Sequence, residues 1–497
     1  MASEGEEHVP LARVRVEDSL LKDMKGMLQL LDSTPEKEEP CTIYRVLPSV
    51  RDEHAKDYEP KIVSIGPFHH KNDPDQPMEK LKWRYLQDLL DRTRDNNMLQ
   101  KYVDKVRELE PRAREQYAEP VEPDSDAFVK MMVVDGSFVV EFLIKMYYVE
   151  KERRKLDAVN WNLPLLRNDL LLLENQIPFL VLESLFEVSD FGDLLPDLGE
   201  EDDDDVPVTL LKLAISYITK DKFECLPSAS DPSLVHHLLH LYHLSLLPTP
   251  PEPPVARSCC HTMVHMVKKV KALASGSFLW LLSSLLHCRI PLDCCEGERA
   301  LDDEESVRAP RVIPSVTELK ESGVEFKKKT NAGSLLDVVF RDGVLEIPVL
   351  AIQERTPPLF RNLIAFEQCC PASGSHFTCY AAFLNNLVDT PGDVAILKER
   401  GVIESKLGQD EEVADLFHKL GKGAYLDFED HYLVELFKEV RRYHEFEHHR
   451  WRAKLMHDYF GNPWAIISLV AAVILLVVTV LQTFYTMYAY YHPPSKS

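Results

Sequence analysis

The sequence predicts a mainly α protein with a small β element, an α+β body followed by one C-terminal transmembrane helix. Three observations predict it. Several long stretches carry apolar residues at helical spacing. One short region between 324 and 352 carries β-prone pieces around an Asp-Gly pair. Residues 464–485, "WAIISLVAAVILLVVTVLQTFY", hold no charge.

The chain has 497 residues, enough for a large core, and its 45% hydrophobic content is that of a globular protein. The formal net charge is -24, from 81 acidic against 57 basic residues. A surface that negative repels phosphate backbones, so no nucleic-acid partner is expected. The basic runs Lys268–Lys271 and Lys327–Lys329 are too short to alter that.

In chain order, residues 1–40 are polar and mixed and are read as a flexible N-terminal arm without a secretory leader. Residues 41–246 form the N-terminal helical part. "CTIYRVLPSV" and "KIVSIGPFHH" are β-prone pieces, each ended by proline. A helix over "MEKLKWRYLQDLLDRT" repeats apolar residues at Leu81, Tyr85, Leu89 and at Trp83, Leu86, Leu90. "FVKMMVVDGSFVVEFLIKMYYV" (128–149) is a second helix, central to the core and kinked at Gly136. Its Asp135, Glu141 and Lys145 are too frequent for a bilayer, and Glu141–Lys145 is a favourable i,i+4 pair.

In "RNDLLLLENQIPFLVLESLF" (167–186), three polar residues interrupt a leucine run. Leu170–Leu173 are expected to finish one helix. Ile177 before Pro178 is pushed from helical dihedrals, and Pro178 suits the first turn of the next helix. Glu174, Asn175 and Gln176 then fall where helix-end groups need partners.

Residues 199–207 form an acidic loop, and 247–256, "PTPPEPPVA" with its preceding leucine, a proline-rich linker. Residues 257–460 form the C-terminal helical part, with a polar loop over 294–306. "IPSVTELKESGVEF" carries a capping box at Ser315 and Glu318 and a C-cap at Gly323. "VEFKKK", "SLLDVVF" and "VLEIPVLAI" are three strands, the last two joined as a hairpin at Asp342-Gly343. Helices over "PLFRNLIAFEQCC" and "HYLVELFKEVRRYHEFEHHRWRAKLMHDYF" follow.

The apolar stretch 464–485 spans roughly 33 Å as a helix, enough for a hydrocarbon core of about 30 Å. Trp464 and Tyr485 are its interfacial anchors. Basic residues precede it and only Lys496 follows, so a short tail 486–497 lies outside and the large N-terminal part is cytosolic. The expectation is a tail-anchored, single-pass protein in contact with membrane lipid, at the plasma membrane rather than the endoplasmic reticulum. Absent Asn-x-Ser/Thr sequons and adjacent cysteine pairs fit a reducing compartment.

The pieces "CTIYRV", "YEPKIVSIGPFHH", "MMVVDGSFVVEFL", "NDLLLLENQIPFLVLESLF", "LEIPVLAIQERTPPLFRNLIAFEQ" and "YFGNPWAIISLVAAV" stand in an order that resembles the plant domain-of-unknown-function 247 family. Ser137 and Glu354 depart from the residues commoner there. The resemblance implies no established enzymatic activity and a C-terminal membrane span. It also implies a link, in some grass members, to self-incompatibility.

"RNLIAFEQ" (361–368) echoes "RNDLLLLENQ" (167–176). Together they offer a polar network of Arg167, Glu174, Asn175, Gln176, Arg361, Asn362, Glu367 and Gln368. Arg361 would pair with Glu174, or Arg167 with Glu367. A buried structural network is the favoured reading, with no catalytic residue assigned. A membrane-tethered enzyme built on Arg167, Glu174, Arg361 and Glu367 is the alternative. Cys259, Cys260, His261 and His265 lack metal-site spacing, so no metal or cofactor is expected. His236, His237, His240 and His243 are read as an amphipathic face. "GKGAY" (421–425) is not a nucleotide loop. The functional expectation is a non-enzymatic recognition or scaffold protein that contacts unidentified protein partners. Homo- or hetero-oligomerisation stays open.

Overall fold

The computed structural model describes residues 42–51, 54–70, 77–93, 95–152, 163–189, 191, 209–219, 235–248 and 310–445, with scattered positions at 21–25 and 471–487. The chain divides into two compact units. One is Met1–Ile218 with Ala229–Leu241, the other Thr219–Ser228 with Tyr242–Ser497.

The first unit is helical. It contains α1 (Pro77–Thr93), α2 (Met98–Glu115), α3 (Ser125–Glu152), α4 (Leu163–Asp169), α5 (Phe179–Val188) and α6 (Leu210–Ile218). The central element is α3, which packs against α1, α2, α5 and α6. It is apolar on most of its circumference, and Phe128, Met132, Val140, Phe142 and Leu143 are fully buried. Each such side chain contributes about 1.5–3 kcal/mol of transfer free energy. The helix runs on through Gly136, where an added Cβ would stand 2.6 Å from Leu185 Cδ1 on α5. Gly136 therefore serves close packing of the two helices. On α1, Tyr85, Leu86 and Leu89 are buried, but Trp83 is exposed, with Lys130 over its ring. Helix α2 is an addition to the expected elements.

Two expectations in this unit are corrected. "CTIYRVLPSV" and "KIVSIGPFHH" are not strands. Ile43 makes one isolated parallel bridge to Tyr117, and residues 61–70 belong to no sheet. Thr42 and Ile43 N–H donate to the Gln116 carbonyl and Ala118 N–H donates to the Ile43 carbonyl, while much of the remaining backbone is held by side chains, as described below. Helix α4 ends at Asp169, so Leu170–Leu173 lie in turns. Pro178 stands at the N-cap of α5 with φ -54° and ψ 130°.

Helix α7 (Leu238–Leu246) runs through the division at Leu241 and Tyr242. The second unit continues with α8 (Val316–Glu321), β1 (Glu325–Lys329), β2 (Val339–Arg341), β3 (Val344–Pro348) and β4 (Leu350–Ile352). Then come α9 (Thr356–Cys369), α10 (His376–Leu387), α11 (Pro391–Glu399), β5 (Ile403–Ser405), α12 (Asp410–Leu420) and α13 (Val434–Glu445). The capping box of α8 is present between Ser315 and Glu318. Gly323, at φ 87°, closes that helix, with Gly323 N–H donating to Lys320 and Val324 N–H to Leu319.

Strands β2 and β3 form the expected hairpin, with Arg341 opposite Val344. Asp342 and Gly343 both take positive φ, 51° and 76°, as a two-residue turn matched to strand twist requires. Strand β1 pairs with β3 in parallel, giving the order β1-β3-β2. The expected single strand "VLEIPVLAI" is two. It divides after Pro348, and β4 pairs in parallel with β5 in a separate sheet. Proline has no N–H to continue a ladder.

The transmembrane expectation is also corrected. Among the described residues, no helix is long and apolar enough to cross a membrane. The described positions of 464–485 lie between Ala471 and Thr483 and are helical. Trp464 and Tyr485 lie outside the described residues, as do the loops 199–207 and 294–306 and the cluster Cys259, Cys260, His261 and His265.

Candidate functional site: two buried carboxylate networks

In the first unit, polar residues at the end of α4 and just after it hold two segments that belong to no sheet: 42–51, which ends in a helical turn at Pro48–Arg51, and 61–70. Asp169 Oδ1 accepts from Lys61 N–H at 2.9 Å, and Oδ2 from Ile62 and Val63 N–H at 2.6 and 2.9 Å. Asn175 accepts from Ile65 N–H at 2.6 Å and donates to the carbonyls of Val63 and Asp169. Gln176 donates to the carbonyls of Leu170 and Leu172 and accepts from Leu239 N–H. The side chains replace the neighbouring strand these segments lack.

Glu174 is the charged member. Its Oε1 accepts from Val46 N–H at 2.8 Å, Arg51 Nη1 donates to both oxygens, and His69 Nε2 lies 3.0 Å from Oε2. Burial opposes the charge, but the His69, Val46 and Arg51 hydrogen bonds outweigh it, so the carboxyl is held below its ordinary range. Beside it, Gly66 takes φ +72°, and a Cβ there would lie 2.5 Å from the Gln176 carbonyl oxygen. Gly66 N–H donates to Asp135, which also takes Lys82 at 2.8 Å. The buried Lys82 ammonium fills its remaining donor positions with Glu79 and the Ser64 carbonyl. Burial pushes Asp135 up despite Lys82 and Gly66.

In the second unit, Glu367 near the end of α9 is equally enclosed. Its Oε1 lies 2.8 Å from His243 Nε2 and accepts from Phe377 N–H at 2.8 Å. Its Oε2 accepts from the N–H and hydroxyl of Thr378 at 2.8 and 2.9 Å, so it caps the first turn of α10. Gln368 accepts from Tyr425 N–H at 2.7 Å and donates to the Tyr425 carbonyl at 3.0 Å. The sequence echo thus has a shared structural meaning. In both pieces, a glutamate is enclosed by donors from other elements and a glutamine grips a backbone segment.

The profile of a family described as a plant protein of unknown function, DUF247, matches residues 43–478. The chain belongs to the DUF247 family. Two curated relatives, both from Arabidopsis thaliana, are similar over nearly their whole length. UPF0481 protein At3g47200 is 27% identical over 465 residues, covering 91% of this chain and 87% of the relative. Putative UPF0481 protein At3g02645 is 28% identical over 488 residues, covering 90% of each. No solved structure matches.

In this DUF247 chain Arg167, Arg361 and Asn362 are also buried. Arg167 donates to the Ile218 carbonyl, and Asn362 donates to the Pro358 carbonyl within α9. Glu174 has Arg51 as a cationic partner, and Glu367 has the imidazole of His243. Of the four histidines read as an amphipathic face, His236 is part-exposed and the other three are buried. His237 and His243 are fully buried. His240 N–H donates to His237 Nδ1, so His237 carries its proton on Nε2 and donates to the Thr42 carbonyl.

The sequence reading missed Arg51, His69, Asp169 and Lys82. Each stands inside or beside a quoted piece, but none shows a periodic signal for its partner. It also passed over a cysteine–histidine contact. Cys379 Sγ lies 3.0 Å from His431 Nδ1, which also accepts from Leu433 N–H. Burial pushes the thiol up to about 12 and the imidazole down. That is a neutral pair rather than a thiolate nucleophile with a charged base. Among the described residues, no group of three His, Cys, Asp or Glu side chains is placed to hold a metal ion.

Proposed function

We propose that this DUF247 chain is a non-enzymatic recognition or scaffold protein that acts through protein–protein contacts. One observation carries the reading: the signature carboxylates, Glu174 and Glu367, are buried with their oxygens occupied by the chain's own donors. A general acid or base needs an oxygen within reach of substrate, and a nucleophile needs an open approach. Saturated carboxylates act as structural anchors.

The test pairs thermal melting with biological complementation for Glu174→Gln and Glu367→Gln. The proposal expects loss of function to follow loss of folded protein. A variant with unchanged melting, intact partner binding and abolished function would overturn it.

A further inference from the structure

Helix α13 is seated by its apolar face and started by one histidine. Leu436, Phe437 and Val440 are buried. The Phe437 ring lies 6.4 Å from that of Phe383 on α10, and the Tyr443 ring 5.6 Å from that of Phe340 on β2. His431 stands just before the helix. Its carbonyl accepts from Val434 N–H at 3.0 Å, its Nδ1 accepts from Leu433 N–H at 3.2 Å, and its ring meets Phe437 edge-on at 5.1 Å. Backbone and side chain of one residue thus hold the two donors where α13 begins.

That arrangement fixes a protonation state. A backbone N–H can only donate, so Nδ1 keeps its lone pair and the imidazole is neutral, with its proton on Nε2. The Cys379 sulfur of α10 lies 3.0 Å from the same Nδ1. His431 is 7% exposed, and Nε2 meets no hydrogen-bond partner among the described residues. The titratable groups beside it, Cys379 and Tyr432, are themselves held neutral by burial. On α13 the ring meets Phe437, which carries no charge. Asp427 and Asp430, exposed in the preceding loop, favour the imidazolium, but burial outweighs them and pushes it down. A proton on Nδ1 would set a second donor against Leu433 N–H. It would also place a buried cation at the positive end of α13.

We propose that His431 is an acid-sensitive latch: neutral, it seats the start of α13 against α10; protonated, it releases it. This goes beyond the recognition reading and does not depend on it. The released imidazole takes up its proton at the ordinary value of 6.5. The latch is therefore fully engaged above that value and weakens as pH falls below it, by up to about tenfold in released population per pH unit.

The test follows amide hydrogen exchange in the full chain from about pH 7.5 to about pH 5, with rates corrected for the intrinsic pH dependence of exchange. Protection over 433–440 should fall about tenfold between about pH 6.5 and 5.5, while α3 stays protected. His431→Asn keeps an acceptor for Leu433 N–H but cannot titrate, so α13 should be protected at neutral pH and lose the response. His376→Asn removes the histidine packed on Tyr432, leaves His431 in place and should keep the response. A response that survives His431→Asn, vanishes with His376→Asn or spreads equally to α3 overturns the latch. Should His431→Asn fail to fold, nitrogen NMR of the histidine-labelled parent decides. An Nε2–H tautomer at neutral pH, protonating in step with α13 exchange, supports the proposal. An Nδ1–H tautomer, or protonation that leaves α13 unmoved, overturns it.

Discussion

Arg51 Nη1 stands 2.8 and 2.7 Å from the two carboxylate oxygens of Glu174, across 123 positions of sequence. Through this contact a single helical turn at Pro48–Arg51 is joined to the turn between α4 and α5. The pair is half wet: Arg51 retains a quarter of its side-chain exposure, while Glu174 has none. Solvent at the arginine limits what the charge contact adds, and the buried acceptor sets what its loss costs.

Glu174→Gln replaces one acceptor oxygen with a donor facing Val46 N–H, Arg51 or His69. The expected loss is about 2–3 kcal/mol, the cost of unpaired buried groups discounted for the exposed side of Arg51. Chemical denaturation should show a lower midpoint with an unchanged slope. A variant as stable as the parent would remove Glu174 from its structural role.

Asp393 provides a pH signature. It accepts from the N–H and hydroxyl groups of both Thr317 and Thr390. Burial would raise its pKa, but these hydrogen bonds outweigh it and lower it from 3.8. A carboxyl depressed in the folded state stabilises fully above its unfolded value and loses that contribution as pH falls through its folded value. The stability gap between the parent and Asp393→Asn should therefore be constant above 3.8 by a wide margin and shrink below it. A gap that widens on acidification would contradict the assignment.

Two glycines should respond differently to alanine. Gly66→Ala combines positive φ with a 2.5 Å overlap on a backbone oxygen that cannot move aside. Its cost should be at least about 2 kcal/mol. At Gly136, the 2.6 Å neighbour is the tip of the Leu185 side chain, and alanine restores about 1 kcal/mol of helix propensity. Gly136→Ala should remain within about 1.5 kcal/mol of the parent. Paired melting curves decide whether that order holds.

The thiols offer a chemical check. Burial pushes Cys369 up to about 11 and Cys379 to about 12. At pH 8, a thiol titrating near 12 is thiolate in roughly one molecule in ten thousand. Iodoacetamide on the native chain should leave the Cys379 peptide unmodified and label it only after denaturation. Rapid native labelling would instead mark it as an activated cysteine.

Several elements were legible because their causes are local. The turn at Asp342-Gly343 needs two residues tolerant of positive φ, and these two residues supply it. Ser315 and Glu318 form their capping box within four residues. The division of β3 from β4 was equally local in cause, since Pro348 ends the ladder, yet the continuous apolar run concealed it. The segments 42–51 and 61–70 misled for the opposite reason. Their β-prone composition reflects burial, while their hydrogen bonds go to side chains far away in sequence.

By itself, the sequence determined the helical character of the chain, the caps, the hairpin and family membership through pieces that keep their order. It also marked Glu174 and Glu367 as unusual, since each interrupts an apolar run. Only the tertiary structure decided their partners: Arg51 and His69 for one, His243 and the start of α10 for the other. The physical reason is range. Turns and caps follow from dihedral preferences of adjacent residues, whereas a buried charge is satisfied by whichever donors the packed core brings to it.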